Sequence, residues 1–152
     1  VREVRVSVRF AAPQQAVWEA LVDWSRQGEW MPATTVRVAA GNGRGLGARL
    51  EARTGFGPLQ LLDRMTITGW EPPRRCAVEH TGRVIRGSAS FEVRPLGERA
   101  SHVVWSERLV APSGVPDALA GLALRPATAA VIRTALRRLA RRLAAGSAGT
   151  ST

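Results

Sequence analysis

Hydrophobic and polar positions alternate at the start of the chain. In VREVRVSVRF, Val4, Val6, Val8 and Phe10 are separated by Arg5, Ser7 and Arg9, and this period of two predicts a half-buried β-strand. Ala12-Pro13 ends the strand. Proline suits the first turn of a helix, where the N–H it lacks would have no partner. Beyond Pro13 the period lengthens: Val17, Trp18, Leu21 and Val22 share one helical face. Residues 23–31 predict a second short helical segment, closed by Pro32.

Alternation then returns. Residues 34–39 lead into the glycine-rich GNGRGLG, after which Ala48, Leu50 and Ala52 alternate with Arg49, Glu51 and Arg53. Further strands are expected over 59–70, 75–80, 84–94 and 101–109, joined by turns short enough for antiparallel hairpins. The last third changes period again. Residues 115–124 predict a short helix or loop, and Pro126 is placed to open a helix running to about Ala145. Val131, Ile132, Ala135, Leu136, Leu139 and Leu143 line one of its faces, and Arg133, Arg137, Arg138, Arg141 and Arg142 the other.

These elements predict an α+β architecture in one domain, residues 1–145, with a flexible polar tail over 146–152. A curved antiparallel sheet of six or seven strands wraps around the long C-terminal helix, with two short helices after strand 1. A long amphipathic helix without a helical partner must bury its apolar stripe on the sheet. A gap between such a helix and a curved sheet is a common site for an apolar ligand.

The segment FAAPQQAVWEALVDWSRQGEWMP resembles the opening of the START-like, or SRPBCC, superfamily, particularly its polyketide cyclase/dehydrase branch. The resemblance rests on Ala12-Pro13, Val17-Trp18, Asp23-Trp24 and Trp30-Met31-Pro32. It continues at Leu46-Gly47, Trp70-Glu71-Pro72-Pro73-Arg74, Val103-Val104-Trp105 and the terminal amphipathic helix, covering residues 4 to about 143. It implies the helix-grip (Bet v 1-like) fold and a small hydrophobic ligand that is aromatic, polyketide-like or lipid-like. That superfamily includes aromatic polyketide cyclases, lipid and sterol carriers, and hormone receptors. No catalytic signature is common to them, so the fold alone does not assign an activity. Cyclisation or dehydration of a polyketide by acid/base chemistry stands beside non-enzymatic carriage. An interaction module built on the arginine-rich helix is the third alternative.

Composition narrows the partners. The net charge is +10, and every one of the 22 basic residues is arginine. Outside the C-terminal helix these are spread along the strands, with no run of aromatics between them to stack bases, so nucleic-acid binding is not expected. The single cysteine, Cys76, excludes an internal disulfide and a cysteine metal cluster. No apolar run reaches membrane-spanning length and the first residues do not form a secretory core, so a cytoplasmic protein without stable membrane insertion is expected. A homodimer remains open.

The pleat indicates which strand residues face the helix. Leu61, Asp63, Met65 and Ile67 fall together, as do Cys76, Val78 and His80. Ile85, Gly87, Ala89, Phe91 and Val93 form an inner set, and Val103, Trp105, Glu107 and Leu109 another. Asp63, His80 and Glu107 are therefore candidate proton-transfer groups in one cavity, since a buried carboxylate or a near-neutral histidine can take a proton beside a carbonyl. The alternatives are that they pair with arginines, sit at strand ends, or anchor a ligand. Candidate ligand contacts are Leu50, Met65, Ile67, Val78 and Phe91 on the sheet, Trp30 and Trp105, and Leu122, Val131 and Ala135 towards the helix. Trp18 and Trp24 are assigned to packing.

Nothing implies a cofactor or a metal. His80 and His102 have opposite facing. GNGRGLG breaks the G-x-G-x-x-G spacing and leads into a strand, so it reads as a flexible hairpin turn flanking the cavity mouth.

Overall fold

A computed structural model describes residues 2–111 and 113–148, with the side chains of all but Arg2 and a few residues near the two ends of the C-terminal helix. Seven strands form one sheet: β1 (Arg2–Phe10), β2 (Thr34–Ala40), β3 (Arg49–Phe56), β4 (Leu59–Glu71), β5 (Arg75–Thr81), β6 (Arg86–Pro95) and β7 (Ser101–Leu109). Their order is β1-β7-β6-β5-β4-β3-β2, and every neighbouring pair is antiparallel. Strands β2 to β7 make an unbroken meander, and β1 closes onto β7. Turns therefore alternate between two edges of the sheet. The β3–β4, β5–β6 and β7–helix connections share one edge, and the β2–β3, β4–β5 and β6–β7 connections share the other.

Helix α1 (Gln14–Leu21) starts from Pro13, whose φ of −62° and ψ of 153° keep it extended while its carbonyl accepts the Val17 N–H. Its apolar positions Val17, Trp18 and Leu21 are buried. The second short segment is a 3₁₀ helix, Trp24–Glu29. Helix α2 (Asp117–Ala148) packs along β1 and buries Ile132, Ala135, Leu136 and Leu139, while Arg133, Arg137, Arg138, Arg141 and Arg142 are exposed. Pro126 lies inside α2 instead of opening it. The helix runs through it at the cost of one backbone hydrogen bond, because Pro126 has no N–H to donate. Residues 149–152 of the expected tail lie outside the described residues.

The core is built on aromatic side chains. Trp18 packs on Trp70 with ring centroids 5.1 Å apart and on Phe91 at 5.8 Å. Phe91 in turn meets Trp105 at 5.6 Å and Trp24 at 6.4 Å, all in tilted arrangements that ring quadrupoles favour. Phe91 thus links the first helices to the centre of the sheet. The glycine-rich turn takes part as well: the Trp24 indole N–H donates to the Gly43 carbonyl at 2.8 Å. Gly43 has a φ of +74°, and a Cβ there would stand 2.8 Å from the Trp24 ring and 2.9 Å from Val38. Only glycine fits that approach. The turn therefore seals the fold at the edge away from the β3–β4 tip, and does not flank a mouth.

Candidate functional site

Between sheet and helix lies a chamber of about 380 Å³. Its sheet wall comes from inward positions of five adjacent strands: Leu50 and Ala52 on β3, Asp63 and Met65 on β4, Cys76, Val78 and His80 on β5, Ala89 and Phe91 on β6, and Trp105, Glu107 and Leu109 on β7. Trp24, Gln27, Met31 and Pro32 cover one side, and Ala127, Thr128, Val131 and Ile132 of α2 form the roof. The register explains why these side chains converge. Leu50 opposes Met65, Met65 opposes His80, Val78 opposes Ala89, and Ala89 opposes Glu107. A shift in register does occur on β4, between Ile67 and Gly69. It lies beyond Asp63, whose facing is left as the alternation dictates.

Three of the expected ligand contacts stand elsewhere. Trp30 is buried but does not line the chamber. It sits at the end of the 3₁₀ helix with φ −124°, where the chain leaves the period-three row that carries Trp24 and Gln27. It turns to a separate groove beside Leu139. Ile67 is fully buried in the core beside the register shift. Ala135 is fully buried one turn past Val131 and Ile132, where helix and sheet close together. The side chain of Leu122 lies outside the described residues. Leu50, Met65, Val78, Phe91, Trp105 and Val131 all reach the chamber. Trp24 and Gln27 were missed, and the signal available for them was the three-residue spacing itself.

The acidic and basic groups of the wall are Asp63, His80 and Glu107. His80 is buried, and its Nδ1 lies 2.9 Å from both carboxylate oxygens of Asp63. A carboxylate can only accept, so Nδ1–H donates, which leaves the opposite nitrogen, Nε2, outside that contact. That Nε2 is fully buried and has no hydrogen-bond partner among the described residues. Burial by itself would lower the His80 pKa, but the Asp63 hydrogen bond and the Asp63 and Glu107 charges outweigh it and hold it above 6.5. Glu107 accepts a hydrogen bond from the Trp105 indole N–H at 3.2 Å. Burial holds its carboxyl above the ordinary 4.5, with the Asp63 charge adding to the effect and Trp105 and His80 opposing it.

Arginine pairing does not account for these groups: among the described residues, no arginine forms an ion pair with Asp63 or Glu107. Cys76, also in the wall, is pushed up to about 12 by burial, so its thiol stays protonated and unreactive at neutral pH. His102 opposes Arg9 and Arg94 on the outer face. Among the described residues, no group of three or more His, Cys, Asp or Glu side chains is placed to hold a metal ion.

The family model described as polyketide cyclase / dehydrase and lipid transport matches residues 1–144. Among solved structures, a protein of Thermus thermophilus superposes with a TM-score of 0.80 at 16% identity, over 96% of this chain and 99% of that one. A START superfamily protein from Mycobacterium smegmatis gives 0.78 at 15%, over 93% and 98%. The Zhui aromatase/cyclase from Streptomyces sp. R1128 gives 0.69 at 19%, over 95% and 98%. At these identities the likeness is one of fold. No curated protein matches the sequence significantly.

Proposed function

This chain belongs to the polyketide cyclase / dehydrase and lipid transport family, and on that premise we propose that its chamber binds a small apolar, polyketide-like molecule and moves protons on it. One observation carries the reading. In a mostly apolar cavity, the Asp63–His80 pair carries an unpartnered buried Nε2, and Glu107 adds a carboxyl of raised pKa. An unpartnered buried polar atom is costly. A carbonyl or hydroxyl oxygen of a bound guest would satisfy it.

The chemistry follows from the two pKa directions. Glu107, as a carboxylate, is a stronger base than an exposed one and takes the proton from a carbon flanked by carbonyls. The carbanion attacks a second carbonyl carbon of the same chain, forming the ring bond, and the displaced C=O electron pair takes the proton from Nε2–H of the His80 imidazolium. Asp63 holds that ring in place and stabilises its charge. Proton return from Glu107 to His80 resets the pair. In a second round the carboxylate removes a remaining α-proton while His80 protonates the departing hydroxyl, and water leaves. The apolar walls, among them Phe91, Trp105 and Met65, exclude bulk water and hold the chain in a reactive fold.

Incubation with a linear poly-β-carbonyl compound, followed by mass spectrometry, tests this. A product lighter by one water is expected. Saturable binding with return of unchanged compound would instead establish the carrier reading, which the lipid-transport half of the family description and the chamber's apolar lining favour.

A further inference from the structure

The chamber is open at one edge of the sheet, where the lining residues Thr54, Ala127 and Val131 are exposed. Most of the exposed large apolar side chains lie at that same edge, while Val38, Leu46 and Leu96 stand at the other. Phe56 and Leu59, at the β3–β4 tip, are 79% and 84% exposed, and Leu61 follows them. Val84 stands on the β5–β6 turn, and Val110 and Val115 on the connection from β7 to α2. Each of these segments adjoins the lining, at Thr54, Ile85 and Leu109. Leaving Phe and Leu this exposed on a projecting hairpin stabilises nothing in the free protein.

The charges of this edge are mostly positive, with Glu3 paired to Arg108 and Glu79 exposed among them. Arg53, Arg83, Arg86 and Arg125 are exposed there, and none has a carboxylate partner among the described residues. Elsewhere many arginines are neutralised, as in Arg37–Glu51, Arg44–Glu19, Arg74–Glu71 and Arg142–Glu29. Apolar tips set among free cations match one kind of surface, a bilayer whose anionic headgroups overlie hydrocarbon. A second copy fits poorly, since a two-fold contact would set like charges against each other.

We infer that this edge docks reversibly on anionic lipid, with Phe56 and Leu59 entering the interface and the chamber mouth facing the membrane. The chamber's guest is then exchanged with the bilayer without crossing water. No described helix is long and apolar enough to span a membrane, so the contact is peripheral. The inference goes beyond the proton-transfer reading, and its test uses no chamber ligand, so either can fail alone.

The test is co-sedimentation with phosphatidylcholine vesicles, with and without phosphatidylglycerol. Binding is expected only to the anionic vesicles and is expected to fall as salt rises. A Phe56→Ser/Leu59→Ser double variant should lose at least about tenfold in affinity, and Arg83→Gln/Arg86→Gln should weaken binding similarly. Neither hairpin residue packs in the core, so the circular dichroism spectrum should be unchanged. Arg137→Gln/Arg141→Gln, on the outer face of α2, should leave binding intact. Absence of anionic-vesicle binding would overturn the inference, including the case in which the edge captures an acidic protein instead. So would binding lost only in the Arg137/Arg141 variant, or binding indifferent to Phe56 and Leu59.

Discussion

Glu107→Gln is expected to lower turnover of a poly-β-carbonyl substrate by about 10²–10⁴-fold while changing ligand affinity by less than about threefold. The amide keeps the shape and the oxygen that accepts from Trp105, so the wall and its packing persist. What it cannot do is take a proton. Because the carboxyl's pKa is raised by burial, the native carboxylate is a stronger base than an exposed one, and the substitution removes it. Steady-state kinetics read against calorimetric binding make the separation. Equal losses of turnover and affinity would recast Glu107 as an anchor, and no change in either would end its assignment.

His80→Gln is expected to cost turnover on the same scale, and the pH profile identifies its cause. In the native protein kcat should rise with pH as Glu107 ionises, above 4.5, and fall as His80 deprotonates, above 6.5. The alkaline fall belongs to His80 and should vanish in His80→Gln. Asp63 acts through His80 and is a positioning residue. In Asp63→Asn the groups that raised the His80 pKa are weakened, and burial, which lowers it, is left in place. The alkaline limb should therefore move to lower pH in Asp63→Asn, while the acid limb stays with Glu107. An unchanged alkaline limb in Asp63→Asn would show that His80 is not the titrating acid.

The parts of the fold governed by period were legible in the sequence. The two-residue alternation of β1, β3, β5 and β7 located both strands and facing, because each strand has one face on the core. The same alternation put Asp63, His80 and Glu107 on one side, and no register shift falls between them and the residues used to count. Features set by local backbone departures were not legible. Sequence alone assigns Trp24 to packing and Trp30 to the chamber, yet one terminal dihedral turns Trp30 to a groove beside Leu139 and leaves Trp24 in the chamber wall. Pro126 marks a helix start by propensity, but tertiary packing of the α2 stripe carries the helix through it. Glu107's partner was also out of reach, since Trp105 lies two residues away on the same strand and its indole turns along the face. The exposed edge around Phe56 and Leu59 needs the topology, which alone brings three separate turns to one rim.

The proposed chemistry requires a guest inside the chamber, and calorimetric titration of an anthraquinone into the wild-type protein and into Ala89→Trp tests that requirement. Ala89 faces the chamber opposite Val78 and Glu107, so an indole there fills the space without touching the outer surface. The wild type should bind one equivalent saturably, and Ala89→Trp should remain folded and lose at least about tenfold in affinity. Binding of equal strength in both proteins, or no saturable binding in the wild type, would contradict it.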